Sequence, residues 1–184
     1  MLKKELEECR KLYDKKLLKK LRIKWDNMFY RAYHINYHLK HPTYKDVTVC
    51  EEWKCFQNFA EWCSKHIKEG YCLDKDILIK GNKSYSPETC CFVPNEINML
   101  LVKSNKRRGK LPIGVNKNGN KYQASRCINR KRFTYGTFNT PEEAFECYKF
   151  HKEAHIKEVA DKWKDLIDPR VYEALINYNV EITD

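Results

Sequence analysis

The chain has 184 residues, 42% of them hydrophobic and 33% charged, enough apolar side chain for one sizeable core or two small modules beneath an ionic surface. It has no run of eighteen or more apolar residues and no signal-peptide core near its start, so the expectation is a soluble protein that neither spans nor lies on a membrane and resides in a reducing cytoplasm. The nine cysteines are odd in number and never spaced C-x-x-C, which favours reduced thiols over a disulfide framework or a structural zinc.

The net charge of +11 is unevenly distributed. Residues 97–141 contain no Asp or Glu, and their eleven cations (Lys103, Lys106, Arg107, Arg108, Lys110, Lys117, Lys121, Arg126, Arg130, Lys131 and Arg132) account for the whole excess. A solvated face ordinarily mixes both signs, whereas a block of one sign attracts a polyanion through counterion release. The sign excludes a nucleic-acid mimic.

In chain order, Leu2 to about Tyr37 lacks Gly and Pro and repeats apolar residues at helical spacing, which predicts one long helix. After His41-Pro42, Asp46–Cys50 reads as a short strand, and Trp53, Phe56, Phe59, Trp62 and Cys63 form the apolar face of a second helix. Tyr71–Ile79 then reads as a strand, 80–88 as a loop, Thr89–Val93 as a strand, and Asn95 as the cap of a helix over Glu96–Val102, together a ββα unit. Beyond a basic linker, strands are predicted at Ile113–Val115, Lys121–Ile128 and Arg132–Phe138, with turns at Asn118-Gly119 and Asn129-Arg130. Thr140-Pro141-Glu142-Glu143 is a helix start with cap, first-turn proline and capping box, and that helix should run to about Trp163 before a short one from Arg170 to about Asn177. The fold class is therefore α+β, divided into 1–102, a linker at 103–110, and 111–184.

Trp25-x-x-Met28-x-x-Arg31, Val49-Cys50-Glu51-Glu52-Trp53, Leu73-Asp74-Lys75-Asp76 and Gly81-Asn82-Lys83-x-Tyr85-Ser86-Pro87-Glu88-Thr89-Cys90 resemble phage-borne HNH homing endonucleases. The resemblance implies a ββα-metal (His-Me finger-like) motif, active in the cytoplasm of a host bacterium, that hydrolyses a phosphodiester with one Mg²⁺ or Mn²⁺. Asp74 matches the strand ligand and Asn98 the helix ligand, a hard-oxygen pair suited to such an ion. Lys75 stands where the family places its general-base His, and Thr89 replaces a supporting Asn. An ordinary lysine is protonated at neutral pH and cannot take a proton. Asp76, water held by the metal or a deprotonated Lys75 would have to serve, or the site is silent. The alternative for Asp74 and Asp76 is a loop-closing pair bonded to backbone. Two helical His pairs, His34 with His38 and His151 with His155, lack the acids of a metal motif and read as packing, and the lone helical His66 reads as a surface or core residue.

Gly114-Val115, Lys121-Tyr122-x-Ala124, Tyr135-Gly136-Thr137-Phe138 and Thr140-x-Glu142-Glu143-Ala144 resemble an AP2-type DNA-binding domain. That likeness implies a three-stranded antiparallel sheet in the major groove, backed by one helix. Asn116, Asn118, Gln123, Ser125, Arg132 and Thr134 fall at groove-facing positions, where amides and guanidinium can read base edges. Lys117, Lys121, Arg130 and Lys131 fall at phosphate-contacting ones, and Lys106, Arg107, Arg108 and Lys110 can track the backbone. Arg126 falls where such sheets bury an apolar residue. The expected partner is DNA, with RNA open, as are a homodimer and a contact with a host defence complex. A protein that has lost cleavage and acts as a regulator or an anti-CRISPR factor is the alternative from another class.

Overall fold

The computed structural model describes residues 2–102, 111–128 and 131–184, and it is an α+β protein. The described chain forms two compact units, Met1–Asn95 together with Ile167–Val171, and Glu96–Leu166 together with Tyr172–Asp184. The first division falls at the start of the helix that sequence reading assigned to the N-terminal module, so Asn98 belongs to the second unit.

In the first unit the expected single N-terminal helix is three: α1 (Leu2–Leu12), α2 (Lys15–Tyr33) and α3 (Ile35–Lys40). Side chains make both breaks. Asp14 Oδ1 accepts from the backbone N–H of Lys16 (2.8 Å) and Leu17 (3.0 Å), a new N-cap in mid-sequence, and the His34 ring accepts from Asn36 N–H at 3.2 Å. Helices α4 (Glu51–Lys54) and α5 (Phe56–His66) follow strand β1 (Thr48–Val49). No side chain of its own caps α5; instead Glu5 of α1 accepts from Phe56 N–H at 2.8 Å. Leu21, Met28 and Ala32 of α2 meet Trp53, Phe56, Phe59, Ala60 and Cys63 in the core, where each large side chain contributes about 1.5–3 kcal/mol.

Strand β2 (Tyr71–Asp74) pairs antiparallel with β4 (Cys91–Pro94), which runs into α6 (Asn95–Leu100). β2 stops at Asp74, five residues short of the expected end. Within the predicted loop lies β3 (Ser84–Tyr85), parallel to β1 through Thr48↔Ser84 and Val49↔Tyr85.

The second unit holds strands β5 (Val115–Asn118), β6 (Lys121–Ile128) and β7 (Lys131–Phe138) in one antiparallel sheet, packed against helix α7 (Pro141–Trp163). Gly119, at φ 60°, turns β5 into β6, with Asn118 opposite Lys121. Thr140 Oγ1 accepts from Glu143 N–H at 3.2 Å while the Glu143 carboxylate reaches back to Thr140 N–H at 3.3 Å, the capping box read in the sequence. Ala144, Phe145, Tyr148, Ile156, Val159 and Ala160 form the buried stripe of α7. Glu96 anchors the far end of this helix, accepting from Lys162 Nζ (2.6 Å) and Trp163 Nε1 (2.7 Å). A last helix, α8 (Pro169–Ile176), begins in the first unit and ends in the second. Among the described residues no helix is long and apolar enough to cross a membrane.

Candidate functional site

In the first unit the end of β2 gathers several ionisable groups. Asp74 Oδ1 accepts from the N–H groups of Asp76 (2.9 Å) and Ile77 (2.8 Å), bending the chain out of the strand. Its carboxyl is held above the usual carboxylate range by burial and by the charge of Asp76, against the pull of those two N–H groups. Asp76 is exposed, whereas Lys75 is buried. Lys75 Nζ lies 3.2 Å from Asp76 Oδ2 and 3.1 Å from the Asn82 carbonyl, and 5.4 Å from the Tyr44 ring centre.

Asn82 closes this loop on itself. Its Nδ2 donates to the carbonyls of Lys75 and Ser84, both at 2.6 Å. Thr89 Oγ1 donates to the same Ser84 carbonyl at 2.9 Å and lies 3.1 Å from Ser86 Oγ. The Tyr85–Cys90 run, the most distinctive piece of the first resemblance, thus works as a clasp.

Arg31, Tyr37 and Tyr44, to which sequence reasoning assigned no site role of their own, also border this place. Arg31 of α2 hydrogen-bonds the Tyr85 side chain and interacts with Tyr37 and Tyr44. Tyr37 and Tyr44 meet edge to face at 5.1 Å. The sequence signal was a lone Arg on an apolar stripe, legible only once Tyr44 and Tyr85 are known to reach it.

The other histidines are engaged locally. His66 lies 2.6 Å from the Trp62 carbonyl and stacks on the Trp62 ring, His38 lies 3.0 Å from the Arg31 carbonyl, and His151 stacks on Tyr135 at 4.1 Å. Among the described residues, no three His, Cys, Asp or Glu side chains gather as a metal-holding group. Asp74 with Asp76 offers a pair of hard oxygens. The expected second ligand, Asn98, lies on α6 in the other unit.

In the second unit the sheet register sorts the expected contact residues. Paired residues share a face. Val115↔Ala124 is buried, and on that side Gly114 lies against the Tyr148 ring of α7. The pairs Asn116↔Gln123, Asn118↔Lys121, Ser125↔Thr134 and Cys127↔Arg132 therefore occupy the opposite, outer face. Between Thr134 and Gly136 the register shifts, leaving Tyr135 as a bulge residue whose ring turns to His151 of α7. The bulge keeps Thr134 and Arg132 on the outer face.

Asn118, Lys121, Arg132 and Thr134 are exposed there, and Asn116 and Gln123 half-buried. Ser125 differs: it is buried, and its hydroxyl accepts from Asn116 Nδ2 at 2.8 Å. It positions Asn116. Lys117 and Lys131, expected at phosphates, are exposed near strand ends with register on the helix side. Lys106, Arg107, Arg108, Lys110 and Arg130 lie outside the described residues. Comparison with family models, with curated proteins and with solved structures finds no match to this chain.

Proposed function

We propose that this protein binds double-stranded DNA through the outer face of β5–β6–β7. The observation that carries the reading is the register, which brings Asn116, Asn118, Lys121, Gln123, Arg132 and Thr134 together on the face away from α7, within a stretch devoid of acids. Three strands spaced about 4.8 Å apart make a ribbon about 10 Å between its outer axes, matching a B-form major groove about 12 Å wide. The deep, narrow major groove of A-form RNA does not admit such a ribbon, which favours DNA. Arg132, Gln123 and Asn118 carry forks that suit guanine and adenine edges, and Lys121 carries a point charge for phosphate.

Fluorescence anisotropy on a duplex obtained by selection from a random pool tests this. Arg132→Ala and Gln123→Ala should each weaken the selected duplex by about 1–3 kcal/mol while leaving random duplex nearly unchanged. Equal loss on both duplexes rules out base reading by this face.

A second reading, phosphodiester cleavage by the first unit, is supported by the Asp74–Asp76 carboxylate pair beside Lys75. The charge of Asp76 raises the proton affinity of Asp74, and a divalent cation would relieve that repulsion, so the two carboxylates fit Mg²⁺ or Mn²⁺. Such an ion polarises a phosphoryl oxygen when bound. Lys75 then acts as a donor: its Nζ already donates to Asp76 and to the Asn82 carbonyl, and it holds Asp76 in place. Supercoiled plasmid with Mg²⁺, Mn²⁺ or EDTA is the assay. Metal-dependent nicking lost in Asp76→Asn sustains cleavage, and intact plasmid in every lane leaves DNA binding as the function.

A further inference from the structure

The helix side of the sheet carries a feature that DNA binding by the outer face does not use. Arg126 on β6 has its register on the side of Val115 and Ala124, beneath α7, where an apolar residue was expected. Its Nη1 is buried and has no hydrogen-bond partner among the described residues. Helix α7 carries two more nitrogen bases that feel the charge of Arg126, three residues apart: Lys152, 8% exposed, and His155. Lys152 donates to the Leu100 carbonyl. The acids nearby are Asp184, which acts on Lys152, and Glu158, whose exposed carboxylate lies 3.3 Å from His155 Nδ1.

Burial and the like charge of Arg126 depress the Lys152 ammonium to about 7 and hold His155 below its usual range. An orphaned buried guanidinium hydrogen beside two nitrogen bases, both held toward their neutral forms, is costly, and a protein keeps such a group where something neutralises it. The guanidinium fork matches two oxygens of a tetrahedral oxyanion, and an ammonium and an imidazolium can take the others.

We propose that Arg126, Lys152 and His155 form a phosphate-binding site on the helix side of the sheet, separate from the outer face. The ligand is a small molecule bearing a phosphate group, because the sheet stands between this site and any duplex on its other face.

The test uses the full-length protein at pH 6.5 and NMR of the histidine ring protons, with inorganic phosphate titrated against chloride at constant ionic strength. The His155 signal should shift saturably, with half-saturation in about the millimolar range, while the His66 signal stays fixed. Arg126→Met should raise the half-saturating concentration about tenfold or more. Lys152→Met, which removes a buried ammonium and keeps the volume, should do the same and serves if the first variant fails to fold. Adenosine monophosphate distinguishes the source: binding tighter than inorganic phosphate assigns the site to a nucleotide, and equal binding assigns it to phosphate as such. A linear His155 response indistinguishable from that to chloride, or an unchanged response in a folded Arg126→Met protein, overturns the proposal.

Discussion

Asp74 shows how one carboxylate can serve the fold or the chemistry, and its two jobs respond differently to substitution. Oδ1 closes the turn after β2 by accepting two backbone N–H groups, and an amide oxygen can do the same. The charge works against folding, because burial and Asp76 raise the folded-state proton affinity to about 6 from 3.8. Between those values the folded state binds more protons than the unfolded chain, so stability from this group is full below about pH 4 and is lost as pH rises toward 6. Asp74→Asn should therefore stabilise the protein by about 1 kcal/mol at pH 7.5 and flatten its stability between pH 4 and 6, the full shift being discounted for partial solvation. Asp74→Ala, which drops the turn acceptor, should cost about 1–3 kcal/mol at either pH. Urea unfolding of the three proteins at both pH values measures this; a destabilised Asp74→Asn protein would mean that the charge itself holds the loop.

At the scale of elements, local signals were read well and distant ones were not. The capping box at Thr140–Glu143, strands β6 and β7 and the end of α7 near Trp163 follow from residues within a turn of one another, whereas β5 lies at Val115–Asn118 and not at the expected Ile113–Val115. The N-terminal helix was read as one because Asp14 looks like any charged residue in a Lys-rich run, and only its side-chain bonds to Lys16 and Leu17 make it a cap. The β1–β3 pairing, two residues long between Thr48–Val49 and Ser84–Tyr85, leaves no periodicity to detect. The candidate site divides the same way. The AP2-like motif match put Gln123, Ser125, Arg132 and Thr134 on one face, but the burial of Ser125 and the approach of Arg31 to Tyr85 depend on contacts across the chain. Gly114 is a position where the element itself can be tested. Its φ is +76°, and an added Cβ would lie 2.0 Å from the Tyr148 ring, so α7 seats on the sheet only over a bare backbone. Gly114→Ala should destabilise the second unit by more than about 2 kcal/mol, through both strain and displacement of Tyr148. Gly119→Ala, with positive φ but open space around it, should cost about 1 kcal/mol. Denaturant midpoints of the two variants give the comparison, and equal losses would show that backbone conformation alone accounts for Gly114.

For the whole molecule the arrangement of charge predicts how binding depends on salt. Outside residues 97–141 the charges of the chain balance, so the net +11 resides in one acid-free stretch. If about six of those cations neutralise phosphates, the logarithm of the affinity falls by about five for each tenfold rise in salt. The contribution of the sheet separates from that of the 103–110 segment by charge removal in two sets. Lys117, Lys121 and Lys131 changed together to Gln should lower the slope by at least about one, since Lys121 is on the outer face and the other two are exposed at strand ends on the helix side, and should weaken all duplexes alike. Lys106, Arg107, Arg108 and Lys110 changed together to Ser should lower it by up to about four, again without altering which duplex is preferred. Preference is expected to fail with Arg132, Gln123 or Asn118, since a charge paired with phosphate carries no information about sequence. Anisotropy titrations between about 50 and 200 mM salt resolve the slopes. A slope unchanged by the triple substitution would remove the sheet from the contact surface and leave the 103–110 segment as the source of affinity, whereas a slope unchanged by the quadruple substitution would confine the contact to the sheet.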